Sequence, residues 1–411
     1  MEFGKKHVLI WGSIFLLMVG LVLAIRQLYV MFAVLALLAP VSYLLSRDTL
    51  SSLQVRREAP GLMKEGQQRR VRLTVTNTGV RRRYFFTISD RLPEGIEVVG
   101  EAEGRTLVPS LASDEEFTFE YVLRANRRGV FEIGPAILRH SDLIGMFSFD
   151  REVGRKDELV VHPTPVQIPR VWTRVASLRA PERPRRRFRG EGTELYGTRP
   201  FVPGDDLRRV DWNATARRGQ LIVREYERAE ATDTAIVLDL ERAVHHSDGS
   251  DATIERAVKL AASVATQLLE RGSSVGLVAA TEEEDWSVAR SASPRQSPKI
   301  MDALARVQAN SRGRFRETVT SHLPYLPGGG MAIIISPRLD EEPLGIASSL
   351  IDRGHLVSWM IVEALGRPQP GRGEMEPDQL AARLGDRGVD TWTVASGREL
   401  SLSMRRARRG S

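Results

Sequence analysis

Two uncharged apolar runs, residues 8–25 and 27–46, constrain this chain more than any other feature, and only Arg26 separates them. They are 18 and 20 residues long. At a rise of about 1.5 Å per residue, either run nearly crosses a hydrocarbon core of about 30 Å. The first run holds twelve Leu, Ile, Phe and Val residues and the second holds ten. At roughly −0.3 to −0.6 kcal/mol each near the bilayer centre, insertion is favourable by several kcal/mol per helix. Residues 1–47 are therefore expected to form a transmembrane helical hairpin. A cleaved signal peptide would end in a small-residue cleavage site, which "LVLAIRQLY" lacks. A buried hairpin of a soluble protein would show a polar face, and none is present.

Lys5 and Lys6 precede the first run, and Arg47, Arg56 and Arg57 follow the second, against Arg26 alone in the turn. This excess of flanking cations is expected to hold both termini in the cytoplasm. The expected location is the cell membrane, with two spans and the folded remainder in the cytoplasm.

That remainder is long enough for two or three domains. The chain has no cysteine, which excludes a disulfide framework, thiolate catalysis and cysteine metal sites. Its net charge is +7, and lysine occurs only at positions 5, 6, 64, 156, 259 and 299. A genome rich in arginine codons accounts for this bias. Attraction to anionic lipid or nucleic acid is the functional alternative.

Residues 53–165 read as β-structure. In "RRVRLTVTNTG" the apolar Val71, Leu73 and Val75 alternate with polar neighbours and lead into a turn at Asn77–Gly79. Six or so short strands with turns between them predict an immunoglobulin-like β-sandwich. Residues 166–198 are an Arg/Pro-rich linker that cannot bury a core. From Leu221 onward, short buried strands alternate with amphipathic helices: 233–240, 274–281, 330–337, 355–362 and 389–394 are strands, and helices are expected at 251–272, 297–308, 341–354 and 376–388. This alternation predicts a mostly parallel, doubly wound α/β sheet within residues 199–400. Residues 401–411 form a basic tail.

The most distinctive segment is "GEGTELYGTRPFVPGDDLRRVDWNATARRGQLIVREYE", residues 190–227. Pro203–Asp205 makes a tight turn, Asp206 can cap a short helix through "LRRVDW", and Val210 is an apolar anchor. Asp211 is expected to pair with Arg217, and Trp212 to fill a pocket. One reading is that this network only docks the segment onto the sheet. The other is an interaction surface built from Arg199, Gly204, Asp205, Asp206, Arg208, Asp211, Trp212 and Arg217.

The stretch follows the pattern R-x-[YF]-x-P-G-D-D-x-R-x-[IV]-D-W-x-x-[ST]-A-R, with Arg199, Phe201, Pro203, Gly204, Asp205, Asp206, Arg208, Asp211, Trp212, Ala216 and Arg217 in register. In this it resembles the bacterial domain-of-unknown-function 58 family. The resemblance extends over "RRGVFEIGP" and "DLIGMFSF" in the β-region. It implies that the α/β half is von Willebrand factor A-like, and that the protein partners a MoxR-type AAA ATPase in envelope-associated assembly or stress adaptation.

Such domains often bind Mg²⁺ through Asp-x-Ser-x-Ser after the first strand. Here Asp239 is followed by Glu241 and Ala243, a degenerate remnant, because Ala243 offers no oxygen to a hard cation. Thr281 and Ser336 are further candidates. Without a metal, Asp239 is expected to cap the next segment or to pair with an arginine of the signature. His245–His246 and the acidic run Glu282–Asp285 are expected simply to face solvent. No catalytic constellation and no phosphate loop is readable.

The leading expectation is a non-catalytic, membrane-anchored interaction protein without a cofactor. The alternatives are a Mg²⁺-dependent ligand-binding module and a protein that binds anionic lipid or nucleic acid through residues 179–190 and 405–409. Nucleic acid is the less favoured of these last two.

Overall fold

The computed structural model describes residues 2–100, 104–142, 145–169, 189–190, 194–202, 206–207, 210–227, 233–245, 252–322, 330–364, 374–395 and 404–406. The chain divides into two compact units, Met1–His162 and Pro163–Ser411. Most of the Arg/Pro-rich linker and most of the basic tail lie outside the described residues.

The first unit begins with helices α1 (Glu2–Leu23) and α2 (Arg26–Ser46). Ala24, at φ +52°, breaks the helix between them. Among the described residues, α2 is long and apolar enough to cross a membrane, and Ile10–Leu23 of α1 is a shorter apolar segment. A span needs roughly 17–25 residues, which α2 meets; α2 is thus the helix whose length and composition suit a membrane crossing. Both helices carry large exposed apolar side chains, among them Trp11, Phe15 and Leu21 on α1 and Val34, Leu37 and Leu45 on α2.

A β-sandwich follows, with strands β1 (Leu53–Glu58), β2 (Leu62–Lys64), β3 (Gln68–Asn77), β4 (Arg83–Asp90), β5 (Ile96–Val99), β6 (Arg105–Leu111), β7 (Glu116–Ala125), β8 (Gly129–Ile133), β9 (Ala136–Ser141), β10 (Ser148–Val153) and β11 (Asp157–His162). One four-stranded sheet runs β1-β3-β7-β5 and another β10-β9-β4-β6, both antiparallel; β2-β11-β8 forms a small third. The expected alternation on β3 is present: Val71, Leu73 and Val75 are fully buried and meet Phe86 and Ile88 of β4 and Leu123 of β7 in one core. Each such side chain contributes about 1.5–3 kcal/mol of burial. The core also holds ions. Arg57 forks onto Asp90 at 2.6 and 2.8 Å, and the Tyr121 hydroxyl donates to Asp90 at 2.6 Å.

The second unit opens with a three-stranded sheet ordered β12-β14-β13, from β12 (Arg189–Gly190), β13 (Glu194–Pro200) and β14 (Ile222–Glu227). Helix α3 (Trp212–Arg218) lies between β13 and β14. The main sheet comprises β15 (Thr234–Leu238), β16 (Val275–Val278), β17 (Val288–Ser291), β18 (Met331–Ser336), β19 (Leu356–Val362), β20 (Asp390–Val394) and β21 (Met404–Arg406). Its order is β17-β16-β15-β18-β19-β20-β21, with the five central strands parallel and both edges antiparallel. Thus part of the segment read as a basic tail is an edge strand, and Arg406 pairs with Asp390 at 2.8 Å.

The central strands are apolar throughout because both faces are covered. Ile236, Leu238, Ile333 and Ile335 pack with α4 (Thr253–Glu270) and α5 (Gln296–Arg306), through Val258, Ala261, Ala265, Ile300 and Leu304. Their neighbours Ala235, Val237 and Ile334 pack on the opposite face with α6 (Phe315–Ser321), α7 (Glu342–Asp352) and α8 (Pro377–Asp386). The winding reverses between β15 and β18. In an open α/β sheet the crevice beyond the strand ends at that reversal is where ligands sit.

Candidate functional site

Asp239 and Ser336 stand at the ends of β15 and β18, on the two sides of this reversal. Both are fully buried. The Ser336 hydroxyl donates to Asp239 Oδ2 at 2.7 Å, and the Glu241 N–H donates to Asp239 Oδ1 at 3.1 Å. Burial pushes the Asp239 carboxyl up to about 6, although Arg338, Ser336 and the Glu241 N–H all favour its charged form.

Arg338 is the centre of the crevice. Its side chain is 5% exposed. Nε lies 3.5 Å from Asp239 Oδ2, Nη2 donates to Glu241 Oε2, and Nη1 reaches Asp340 at 2.8 Å and Glu342 at 2.6 Å. Four carboxylates therefore surround one guanidinium, and together they raise its already high pKa against the opposing effect of burial. The carboxylates are themselves held: Glu241 accepts the Phe315 N–H at 3.2 Å and Glu342 accepts the Arg316 N–H at 3.1 Å, both from the start of α6. The expectation that Asp239 pairs with an arginine of the signature is corrected on this point. Its partner is Arg338, which follows β18.

His245, expected to face solvent, is part of the frame. Its Nε2 lies 2.7 Å from the Asp239 carbonyl, which can only accept, so Nε2 carries a proton, and Nδ1 lies 2.9 Å from the Thr253 hydroxyl. His246 lies outside the described residues. The acidic run is engaged as well: Glu282 accepts from the Ser311 hydroxyl at 3.3 Å and the Arg312 N–H at 3.2 Å.

The oxygens present do not fit a divalent cation. Both Asp239 oxygens already accept hydrogen bonds, Arg338 bridges Asp239 to Glu241, and Ala243 has no donor atom. The Thr281 hydroxyl is used in its own turn, where it accepts the Glu284 N–H at 3.0 Å. Among the described residues, no group of three or more His, Asp or Glu side chains is arranged to hold a metal.

The signature residues are positioned by the three-stranded sheet. Arg199 is on β13, where its Nη1 donates to the Pro200 carbonyl at 2.9 Å. Asp211 caps a helix of its own: it accepts the N–H groups of Asn213 and Ala214 at 3.1 and 3.0 Å and opens α3, while Arg208 and Arg209, which the expected Asp206 cap would serve, lie outside the described residues. Its ion pair is with Arg224 at 3.0 Å rather than with Arg217. The Ala214 N–H and Arg224 hold the Asp211 carboxyl below its usual range. Trp212 fills no pocket and is 65% exposed. Asp206 and Arg217 are exposed, while Val210 is buried and bridges to Val223. Pro203, Gly204, Asp205 and Arg208 lie outside the described residues.

The family described as "Protein of unknown function DUF58" matches residues 197–376, which includes both the signature and the crevice. The chain is 26% identical over 212 residues to the uncharacterized protein YeaD of Bacillus subtilis; the match covers 49% of this chain and 49% of YeaD. The chain thus spans about half the length of that curated relative. Among solved structures, an Escherichia coli alpha-2-macroglobulin is 18% identical, with a TM-score of 0.23 over 39% of this chain and 9% of that one. The CARDB domain of a Pyrococcus furiosus protein is 12% identical, with a TM-score of 0.18 over 27% of this chain and 94% of that domain. Likenesses this slight carry no argument about what the chain does.

Proposed function

We propose that this chain is a non-catalytic interaction protein, anchored in the cell membrane by its N-terminal helices with both folded units in the cytoplasm. Its α/β unit is read as von Willebrand factor A-like. Its partner is a MoxR-type AAA ATPase acting in envelope-associated assembly or stress adaptation. The doubly wound sheet, the uncovered apolar face of α2 and the DUF58 match support this reading.

One observation carries it: Arg338 lies where an Asp239-centred metal would have to bind. A guanidinium held by four carboxylates offers neither an open coordination position nor a nucleophile. It offers a fixed, net acidic surface whose rim, Asp340, is 40% exposed. That arrangement suits a contact with a basic protein surface better than chemistry or metal-dependent ligand capture. The rival lipid or nucleic-acid reading is weaker at the tail, because Arg406 already neutralises Asp390.

The test is co-purification from detergent-solubilised membranes at low salt with nucleotide present. Wild type recovers an AAA ATPase, and Asp340→Lys recovers less. Recovery of no ATPase by the wild type sinks the proposal.

A further inference from the structure

The sandwich carries an aromatic and basic rim at the end where α2 meets it. Three contacts fix that end. The Thr78 N–H donates to the Ser52 carbonyl at 3.0 Å, just beyond α2. The Ser42 hydroxyl donates to Asp142 at 2.5 Å. Tyr43 of α2 packs its ring on Phe147 at 5.4 Å and Phe149 at 5.7 Å. Phe149 is in register with His140, and His140 with Phe86, so the turn from β3 into β4 shares this end.

The turn is built to hold its shape. Asn77 is fully buried, and its Nδ2 lies 2.9–3.1 Å from the carbonyls of Arg81, Leu111 and Ala112. A Cβ at Gly79 would stand 2.5 Å from Ser52 Oγ, so the close approach of the turn to the α2 exit requires glycine there.

What the turn presents is unusual for a surface in water. Val80 is 93% exposed. Strand alternation would bury Tyr84 with Phe86 and Ile88, but Phe85 adopts φ +48°, rare for an aromatic residue, and Tyr84 and Phe85 are each 51% exposed. Between Val80 and Tyr84, Arg81 and Arg82 are exposed, and neither guanidinium has a partner among the described residues. The carboxylates of this end each have a partner: Asp142 accepts from Ser42 and the N–H groups of Met146 and Phe147, Asp114 from the Ser113 hydroxyl at 3.2 Å, Glu115 from the Ala112 N–H at 2.6 Å, Glu116 from the Thr76 hydroxyl at 3.3 Å, and Asp48 pairs with Arg47 at 3.5 Å. Apolar and aromatic side chains interleaved with free arginines, next to a membrane helix, match the headgroup layer of an anionic leaflet.

We infer that the β3–β4 turn, Val80 to Phe85, is a membrane-docking surface that lays the sandwich on anionic lipid headgroups beside the α2 exit. This rests on the reading of α2 as a span.

The cysteine-free chain allows a direct test with single nitroxide labels on the full-length protein in nanodiscs of phosphatidylcholine, with or without phosphatidylglycerol. The labels go at Val80→Cys, at Gln68→Cys on the far end of β3, and at Leu37→Cys within α2. The expected result is a Val80 label shielded from an aqueous nickel relaxant and open to oxygen only in discs with phosphatidylglycerol, with Gln68 in water throughout. Arg81→Gln with Arg82→Gln, or high salt, weakens this contact by roughly fivefold per arginine removed, the scale of a basic side chain at an anionic surface. A Val80 label as wet as Gln68 while Leu37 is lipid-embedded overturns the docking and leaves the anchor standing. So does a Val80 label closed to both relaxants, which is covered by protein. Equal docking on phosphatidylcholine alone overturns the anionic headgroup. A Leu37 label in water overturns the anchor and takes the docking with it.

Discussion

Ser336 donates its hydroxyl proton to Asp239 at 2.7 Å across the seam where the sheet reverses its winding, and no water reaches either residue. The bond ties the ends of β15 and β18 together. It also turns a carboxylate oxygen that could face the crevice into an acceptor inside the wall. Arg338, two residues further along, then supplies the positive charge the crevice needs.

Removing that charge leaves Asp239 and Glu241 without it, at 0% and 18% side-chain exposure. Arg338→Ala is expected to cost about 3–5 kcal/mol, as for other buried pairs broken on one side. Arg338→Lys recovers only part, because an ammonium cannot fork to four carboxylates. Denaturant unfolding of the full chain in detergent measures both. A loss for Arg338→Ala no larger than that of a surface pair, about 0–1 kcal/mol, would contradict the geometry.

Asp239 gives the crevice a pH signature. Its unfolded carboxyl titrates near 3.8 and its folded one near 6, so between those values the folded state holds a proton that the unfolded state has lost. Stability from this group is therefore greatest below 3.8, falls as pH rises to about 6, and is flat above. Asp239→Asn removes the fall. Unfolding of the two proteins compared across that interval should give converging curves toward acid and diverging ones toward neutrality. Parallel curves mean Asp239 is not shifted upward.

The cap on α3 is separable from its ion pair. Asp211→Ala removes the Oδ1 acceptor shared by two N–H groups and the partner of Arg224, whereas Asp211→Asn keeps a side-chain oxygen for the cap. The alanine variant should melt lower than the asparagine variant and be cut faster by protease between β13 and β14. Equal melting would show that the cap contributes nothing.

The sheet was largely legible because each central strand is a short apolar run and each long helix has a single apolar stripe. β17 and β21 were not, since short half-covered edge strands carry neither alternation nor a continuous apolar run. In the signature, Arg208 and Arg209 of "LRRVDW" lie outside the described residues, and α3 begins only at its last residue, Trp212. Asp211 starts α3 because its Oδ1 reaches the N–H groups of Asn213 and Ala214.

Asp239 and Ser336 could be read as strand-end residues. Arg338 could not, because its partners Asp239 and Glu241 are 99 and 97 residues away in the chain. The available signal was local: Arg338 and Glu342 at i and i+4, in an acidic stretch directly after the strand. The rim of Tyr84 and Phe85 was hidden for a different reason, since a continuous strand pattern says nothing of a positive φ inside it.

The central claim is that Arg338 fills the place a metal would take at Asp239. Calorimetric titration of the full-length wild type with Mg²⁺ and Mn²⁺, paired with thermal melts, tests it most directly. The account predicts no saturable heat and no rise in melting temperature. A saturable heat with matching stabilisation, abolished by Asp239→Asn, would show a cation bound where the structure places a guanidinium.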